Sequence, residues 1–68
     1  MRKTIKIEGM SCEHCVKSVE AALSLLKGIL SVKVDLAKKE AVVEAVDVED
    51  KEIKATIDDI GFDVVGIE

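Results

Sequence analysis

Polar and apolar residues alternate at the start of the chain, where Ile5 and Ile7 share one side of the segment Lys3–Glu8. A period of two predicts a β-strand with one buried face. The period then lengthens, and apolar residues three or four positions apart predict an α-helix over Glu13–Leu26. The apolar stripe of that helix consists of Val16, Val19, Leu23 and Leu26.

Small residues mark both ends of this predicted helix. Gly9 and Met10 end the strand, and Ser11 is expected to cap the helix, since its oxygen can accept a hydrogen bond from a free backbone N–H group. Gly28 is expected to end the helix, because glycine is favoured at the left-handed position that follows one.

The rest of the chain predicts three further strands and a second helix. Alternation predicts strands over Leu30–Leu36 and Ala41–Ala45, joined by a hairpin turn at Ala37–Lys39. A helix is expected to start at Glu49 or Asp50 and to end at Gly61, after which Phe62–Ile67 is suited to a last strand. Residues expected on the apolar sides of the second strand and second helix are Leu30, Val32, Val34, Leu36, Ile53, Ile57 and Ile60.

The predicted element order is therefore β-α-β-β-α-β. With right-handed crossovers, this order gives an α+β, ferredoxin-like fold: a four-stranded antiparallel sheet with both helices on one face and water on the other. The 68 residues suffice for one domain, 1–68. A chain of this length buries only about 60% of its unfolded surface, so functional groups are expected on a loop or at an element end.

The segment Gly9–Val16 carries the chemistry, because it holds both cysteines of the chain, Cys12 and Cys15. Cys15 falls in the first turn of the predicted helix, where backbone N–H groups and the helix dipole stabilise a thiolate. Two thiolates at this spacing can converge on one soft metal ion, such as Cu(I) or Zn(II). A structural zinc site uses four ligands, and one cysteine pair favours Cu(I) or Ag(I) instead.

Other residues near the pair are expected to support it. His14 lies between the cysteines and is expected to point away from an ion that both hold. Met10 is expected to be a buried anchor below the loop rather than a thioether ligand. Phe62 is expected at the same end of the sheet, as core packing or as a shield for the metal. Lys17 either stabilises thiolate charge, contacts an acidic partner or is a solvated helix residue.

Charge and composition exclude several classes of protein. The net charge is −4 and Phe62 is the only aromatic residue, which argues against nucleic-acid binding. No apolar run approaches the roughly 20 residues of a membrane span, and the start lacks a signal-peptide pattern. A cytoplasmic protein with free thiols is therefore expected. Residues 1–33 have a net charge of +3 and residues 34–68 of −7. This asymmetry predicts either docking to an acidic partner surface or merely a solvated mixed-charge surface.

In the segments Gly9–Cys15 and Ile60–Asp63, and over essentially its whole length, the chain resembles the heavy-metal-associated domain family. That family includes small copper chaperones and the N-terminal metal-binding domains of copper-exporting P-type ATPases. The resemblance implies the ferredoxin-like fold, Cu(I) on Cys12 and Cys15, and ligand exchange with a thiol-bearing partner such as an ATPase domain. Zn(II) is disfavoured because zinc-handling relatives often have an acid at the position of Ser11, and Hg(II) because mercury-binding relatives have a signal peptide.

The resemblance leaves the subtype open. Phenylalanine at the position of Phe62 is typical of ATPase domains, whereas the length and the initial Met1 are typical of a free chaperone. A non-enzymatic copper chaperone is the main expectation, as a monomer or a metal-bridged dimer. A regulatory ATPase domain is the alternative. A thiol–disulfide redox protein is a more distant one, because such motifs usually carry Trp and Pro, which this chain lacks.

Overall fold

The computed structural model describes all 68 residues and contains the six elements in the predicted order. They are β1 (Arg2–Glu8), α1 (Glu13–Ser24), β2 (Ile29–Asp35), β3 (Glu40–Ala45), α2 (Asp50–Asp59) and β4 (Asp63–Ile67). The strands form one antiparallel sheet in the order β2-β3-β1-β4. The predicted α+β, ferredoxin-like fold is confirmed.

One apolar core lies between the sheet and the two helices, and no polar side chain is buried in it. The central strands β1 and β3 present every second residue to the helices, as their period of two predicted. The buried residues are Ile5, Ile7, Met10, Val19, Leu23, Ala41, Val43, Ala45, Val48, Ile53 and Ile57.

The opposite face of the sheet is lined by ion pairs between β1 and β3. Arg2 Nε lies 3.1 Å from Glu44 Oε1, and Lys6 Nζ lies 2.6 Å from Glu40 Oε1. The hydrogen bond to Glu40 raises the pKa of Lys6, so the Lys6 ammonium group stays charged at neutral pH. The predicted solvated face is therefore present, and it carries no aromatic ring for base stacking.

Helix α1 ends earlier than predicted, at Ser24 instead of Leu26. Leu25 and Leu26 donate to the carbonyls of Ala22 and Leu23 at 3.3 and 3.1 Å, so the chain tightens into a turn with bonds between residues three apart. Leu26 still packs against the core, which explains why it matched the helical stripe. The assignment of Gly28 as the helix cap was wrong.

Gly28 is needed for a close approach between two connections. Its φ is +99°, and a Cβ atom on it would lie 2.4 Å from the carbonyl oxygen of Val46. The Gly28 carbonyl also accepts a hydrogen bond from the Val46 N–H at 2.8 Å. The glycine therefore joins the start of β2 to the end of β3 at the sheet end away from the cysteines.

Both outer strands contain a bulge that the alternation did not predict. Leu30 is an extra residue between the pairs Ile29–Ala45 and Ser31–Glu44, and its side chain is 70% exposed. On the other edge, Val65 is the extra residue opposite β1 and is also exposed. The prediction that Leu30 shares the apolar side of its strand was wrong. The extra residue of a bulge reverses which face of the sheet the neighbouring side chains point to.

The last helix and strand differ from prediction only at their junction. Ile60 is the residue that follows α2 and is partly exposed, so it does not complete the buried stripe of Ile53 and Ile57. Phe62 precedes β4 instead of starting it. The residues between α2 and β4 therefore form a connection at the end of the sheet where β1 leads into α1.

Candidate metal centre

The loop between β1 and α1 begins at Gly9 and ends where Cys12 starts the helix. Cys12 has extended backbone angles, φ −158° and ψ 174°. Its carbonyl accepts hydrogen bonds from the N–H groups of Cys15 and Val16, at 3.0 and 3.2 Å. One cysteine therefore lies just outside the helix and the other in its first turn, as the sequence predicted.

The helix start brings the two thiols together. The Sγ atoms of Cys12 and Cys15 lie 3.6 Å apart and are not joined by a disulfide. Cys12 is exposed, whereas Cys15 is half-buried and packs against the core. The pair is therefore pre-assembled, with one thiol open to solvent and the other held by the protein.

Ser11 does not cap the helix, contrary to the prediction. The capping position is occupied by Cys12, and no side-chain cap is formed there. Ser11 lies one residue too early to serve the first-turn N–H groups, and its hydroxyl lies 3.9 Å from Cys15 Sγ. The Ser11 hydroxyl therefore lies near the Cys15 thiol and does not cap the helix.

Hydrogen bonds favour the charged form of the Cys15 thiol. The Ser11 backbone N–H donates to Cys15 Sγ and is the main cause that lowers the pKa of Cys15, followed by the contact with the Cys12 thiol. Partial burial acts in the opposite direction and is outweighed. Thiolates are the form of cysteine that binds metal ions, so the arrangement favours ligation.

Two apolar residues support the loop from below and from the side. Met10 is 6% exposed and belongs to the core, as expected for an anchor. Phe62 is half-buried and packs against the same core. A Cβ atom placed on Gly9 would lie 3.1 Å from Phe62 Cδ1, so the ring lies against the first residue of the loop.

The polar residues expected near the pair remain in solvent. His14 and Lys17 are exposed, and neither forms a side-chain hydrogen bond or ion pair. No third His, Cys, Asp or Glu side chain joins the two thiols in a cluster suited to a metal ion. The two thiols therefore stand together without a third candidate ligand from the protein.

Charges of both signs surround this end of the sheet. β1 lies between β3 and β4, and Glu8 pairs in register with Asp63. The carbonyl of Lys39, in the hairpin after β2, accepts a hydrogen bond from Ile7 N–H at 2.9 Å. The basic and acidic halves of the sequence are thus interleaved at this end of the sheet.

Sequence reasoning missed the role of Gly9. From the sequence, Gly9 was expected only to end the first strand. In the structure its φ is +104°, and the ring of Phe62 occupies the space beside its Cα. A glycine directly before a functional loop was the available signal. Its contact with a residue 53 positions later was not visible without the fold.

A ferredoxin-like sheet that presents two free thiols on an exposed strand-to-helix loop defines a class of small metal-binding domains. The heavy-metal-associated domain model matches residues 4–63. The chain belongs to the heavy-metal-associated domain family, and the expected resemblance is confirmed.

Relatives in this family cover the chain almost entirely. A protein named copper chaperone CopZ from Staphylococcus haemolyticus is 42% identical over 66 residues, 94% of this chain and 97% of that protein. A solved structure described as the CopZ metallochaperone superposes with a TM-score of 0.92 at 37% identity, over 96% of this chain and 100% of that one.

Domains of larger proteins are similar as well. A probable copper-exporting P-type ATPase from Archaeoglobus fulgidus is 37% identical over 67 residues, which is 96% of this chain and 8% of the ATPase. Neither helix of the present chain is long and apolar enough to cross a membrane.

Proposed function

We propose that this chain is a copper carrier that binds one Cu(I) ion through Cys12 and Cys15 and passes it to a partner, without catalytic turnover. The observation that carries the proposal is the pair of free thiols, 3.6 Å apart on an exposed loop. The names of the CopZ relatives support copper as the cargo.

The ligand set favours Cu(I) over other ions. Soft thiolates suit Cu(I), which accepts two or three sulfur ligands, whereas a structural zinc site needs four ligands. Met10 is buried in the core and is not available as a third ligand. Ag(I) has the same ligand preference, and Zn(II) and Hg(II) are weaker candidates.

Transfer proceeds by ligand exchange at the exposed thiol. A thiolate from the partner adds to the copper ion and makes it three-coordinate, after which one bond to the carrier breaks. Cys12 is the exposed ligand and so is the first to leave, while Cys15 packs on the core and holds the ion longer. One Cu–S bond forms for each that breaks, so the ion never becomes free.

The partner we propose is the metal-binding domain of a copper-transporting P-type ATPase, met in the cytoplasm. That domain offers its own thiol pair as the acceptor. The similarity to an ATPase segment and the phenylalanine at position 62 also support a second candidate, a regulatory domain of such an ATPase. Sequencing the gene beyond the codon for Glu68 distinguishes the two.

Titration with Cu(I) under reducing conditions, followed by native mass spectrometry, tests the proposal. We expect one Cu(I) per wild-type chain and loss of tight binding in Cys12→Ser and in Cys15→Ser. His14→Ala is the matched control, because His14 belongs to the same loop and is exposed without a polar contact. It should bind as the wild type does. The mass also reports whether a shared ion bridges two chains.

Two results would contradict the proposal. Full Cu(I) binding by both serine variants would exclude the thiol pair as the site, and displacement of Cu(I) by Zn(II) in competition would exclude copper selectivity. Reduction of insulin disulfides by the wild type, dependent on both cysteines, would favour the thiol–disulfide alternative.

A further inference from the structure

We propose that Gly9 and Phe62 form a latch that positions the Cys12–Cys15 pair. The latch is the close approach of the Phe62 ring to the side of Gly9 on which a Cβ atom would stand. It joins the loop that carries the thiols to the connection between α2 and β4. The inference rests on the proposed function only for the identity of the ion, Cu(I), that the cysteine pair binds.

Gly9 suits the latch for two reasons. Its φ of +104° lies in the region that side-chain-bearing residues avoid. A Cβ atom on it would also lie 3.1 Å from Phe62 Cδ1 and 3.9 Å from Cε1, closer than an ordinary contact to the first of these atoms. The ring therefore uses the space that the missing side chain leaves.

Phe62 is itself held in place by the fold. Its N–H donates to the carbonyl of Ile57 at 3.3 Å, and its side chain packs against the core. The next residue, Asp63, pairs in register with Glu8, the residue before Gly9. The ring is thus fixed relative to the end of β1.

The latch and Met10 together fix the base of the cysteine loop. Gly9 is held by the ring of Phe62 at the side, and Met10 is inserted into the core, where it is 6% exposed. Cys12 follows two residues later. Freeing Gly9 from the ring would let this base move and would widen the range of distances between the two thiols.

The Phe62→Ala background provides the matched control for backbone strain. Gly9→Ala carries the strain of a φ of +104° whether or not the ring is present. Only in the presence of the ring does the added Cβ atom also lie 3.1 Å from Phe62 Cδ1. The difference between the effects of Gly9→Ala in the two backgrounds therefore isolates the latch from strain.

The test measures the equilibrium of the metal-free dithiol with glutathione: protein dithiol plus oxidised glutathione gives protein disulfide plus two reduced glutathiones. Two protons and two electrons move from the Cys12–Cys15 pair to glutathione. A pair held together forms its disulfide more readily than a loosened one. The equilibrium constant of this exchange therefore depends on how the two thiols are positioned. If Gly9 contributed only to the stability of the fold, its substitution would leave this constant unchanged.

We expect Gly9→Ala and Phe62→Ala each to lower this constant by about fivefold, the size of a modest conformational cost. Gly9→Ala should change the constant by no more than about twofold in the Phe62→Ala background, where the contact is absent and only the backbone strain remains. Phe62→Tyr retains the ring and should retain the constant.

Equal effects of Gly9→Ala in the presence and absence of the ring would overturn the latch. Circular dichroism and urea unfolding check that each variant is folded under the conditions used. Cu(I) competition with a colorimetric chelator is run separately on the wild type. Failure there would end the proposed function and leave the latch tested, since the glutathione measurement contains no metal.

Discussion

At the scale of single residues, the two cysteines differ in their surroundings although their motif is symmetrical. Cys15 lies in the first turn of α1 and receives the Ser11 N–H, while Cys12 is exposed at the helix start. The sequence predicted this difference from position alone, because helix N-termini stabilise anions. It did not predict the contribution of Ser11, which depends on how the loop turns.

The pH dependence of alkylation should reflect this difference. Because the pKa of Cys15 is lowered in the folded protein, its reaction with iodoacetamide should reach half its maximal rate at a lower pH than in the urea-unfolded chain. Tandem mass spectrometry of the peptide that holds both cysteines follows each thiol. Coincident profiles for the folded and unfolded chains would contradict the prediction.

The same shift has a consequence for stability. A thiol whose pKa is lower in the folded state than in the unfolded state stabilises the fold increasingly as pH rises through the folded pKa, and fully above the unfolded pKa.

Ser11→Ala removes only the hydroxyl, which lowers the pKa of Cys15 less than the Ser11 backbone N–H does. It should therefore move the alkylation profile upward only slightly.

At the scale of elements, periodicity predicted every helix and strand, and the errors lie where backbone geometry departs from regularity. The bulge at Leu30 adds one residue to β2, which interrupts its alternation. The tight turn after Ser24 ends the regular helix before its apolar pattern ends. Neither leaves a mark in the order of apolar residues, since Leu30 and Leu26 both fit a regular pattern. The thiol pair needed no such detail, because its spacing and a helix start were sufficient.

Helix α2 offers an element-scale test. Glu52 Oε2 accepts a hydrogen bond from the N–H of Glu49 at 3.0 Å and so satisfies a free donor at the helix start. Glu52→Ala should lower the free energy of unfolding by about 1 kcal/mol, measured by urea denaturation.

Glu52→Gln is the matched control for that measurement, since glutamine also serves in this position of the capping box. It should keep most of the stability. Equal losses in the alanine and glutamine variants would show that charge, not the hydrogen bond, stabilises the helix start. Neither variant should alter Cu(I) binding, because α2 begins at the sheet end away from Cys12.

At the scale of the whole molecule, the cysteine loop and the core are one structure. Met10 belongs to the eleven-residue core, and it stands only two positions before Cys12. The apolar core that holds the sheet and helices together therefore also supports the cysteine loop, through Met10. The sequence anticipated the buried anchor and the place of Phe62 at the same end of the sheet, but not the close approach of its ring to Gly9.

Met10 should accordingly affect stability and not ligation. Met10→Ala should lower the free energy of unfolding by about 2–5 kcal/mol through the cavity that it leaves. Met10→Leu conserves volume and should cost less than about 1.5 kcal/mol. Cu(I) affinity of the leucine variant should equal that of the wild type, and a large loss would identify the thioether as a ligand.

The bulges at Leu30 and Val65 lie on the two outermost strands of the sheet. A regular outer strand exposes a row of unpaired backbone groups on which a neighbouring molecule can add its own strand. An extra residue distorts that row on each side, so stacking of copies into longer sheets is discouraged. Crowded molecules of this protein should stay dispersed, even though both extra residues are apolar and face water.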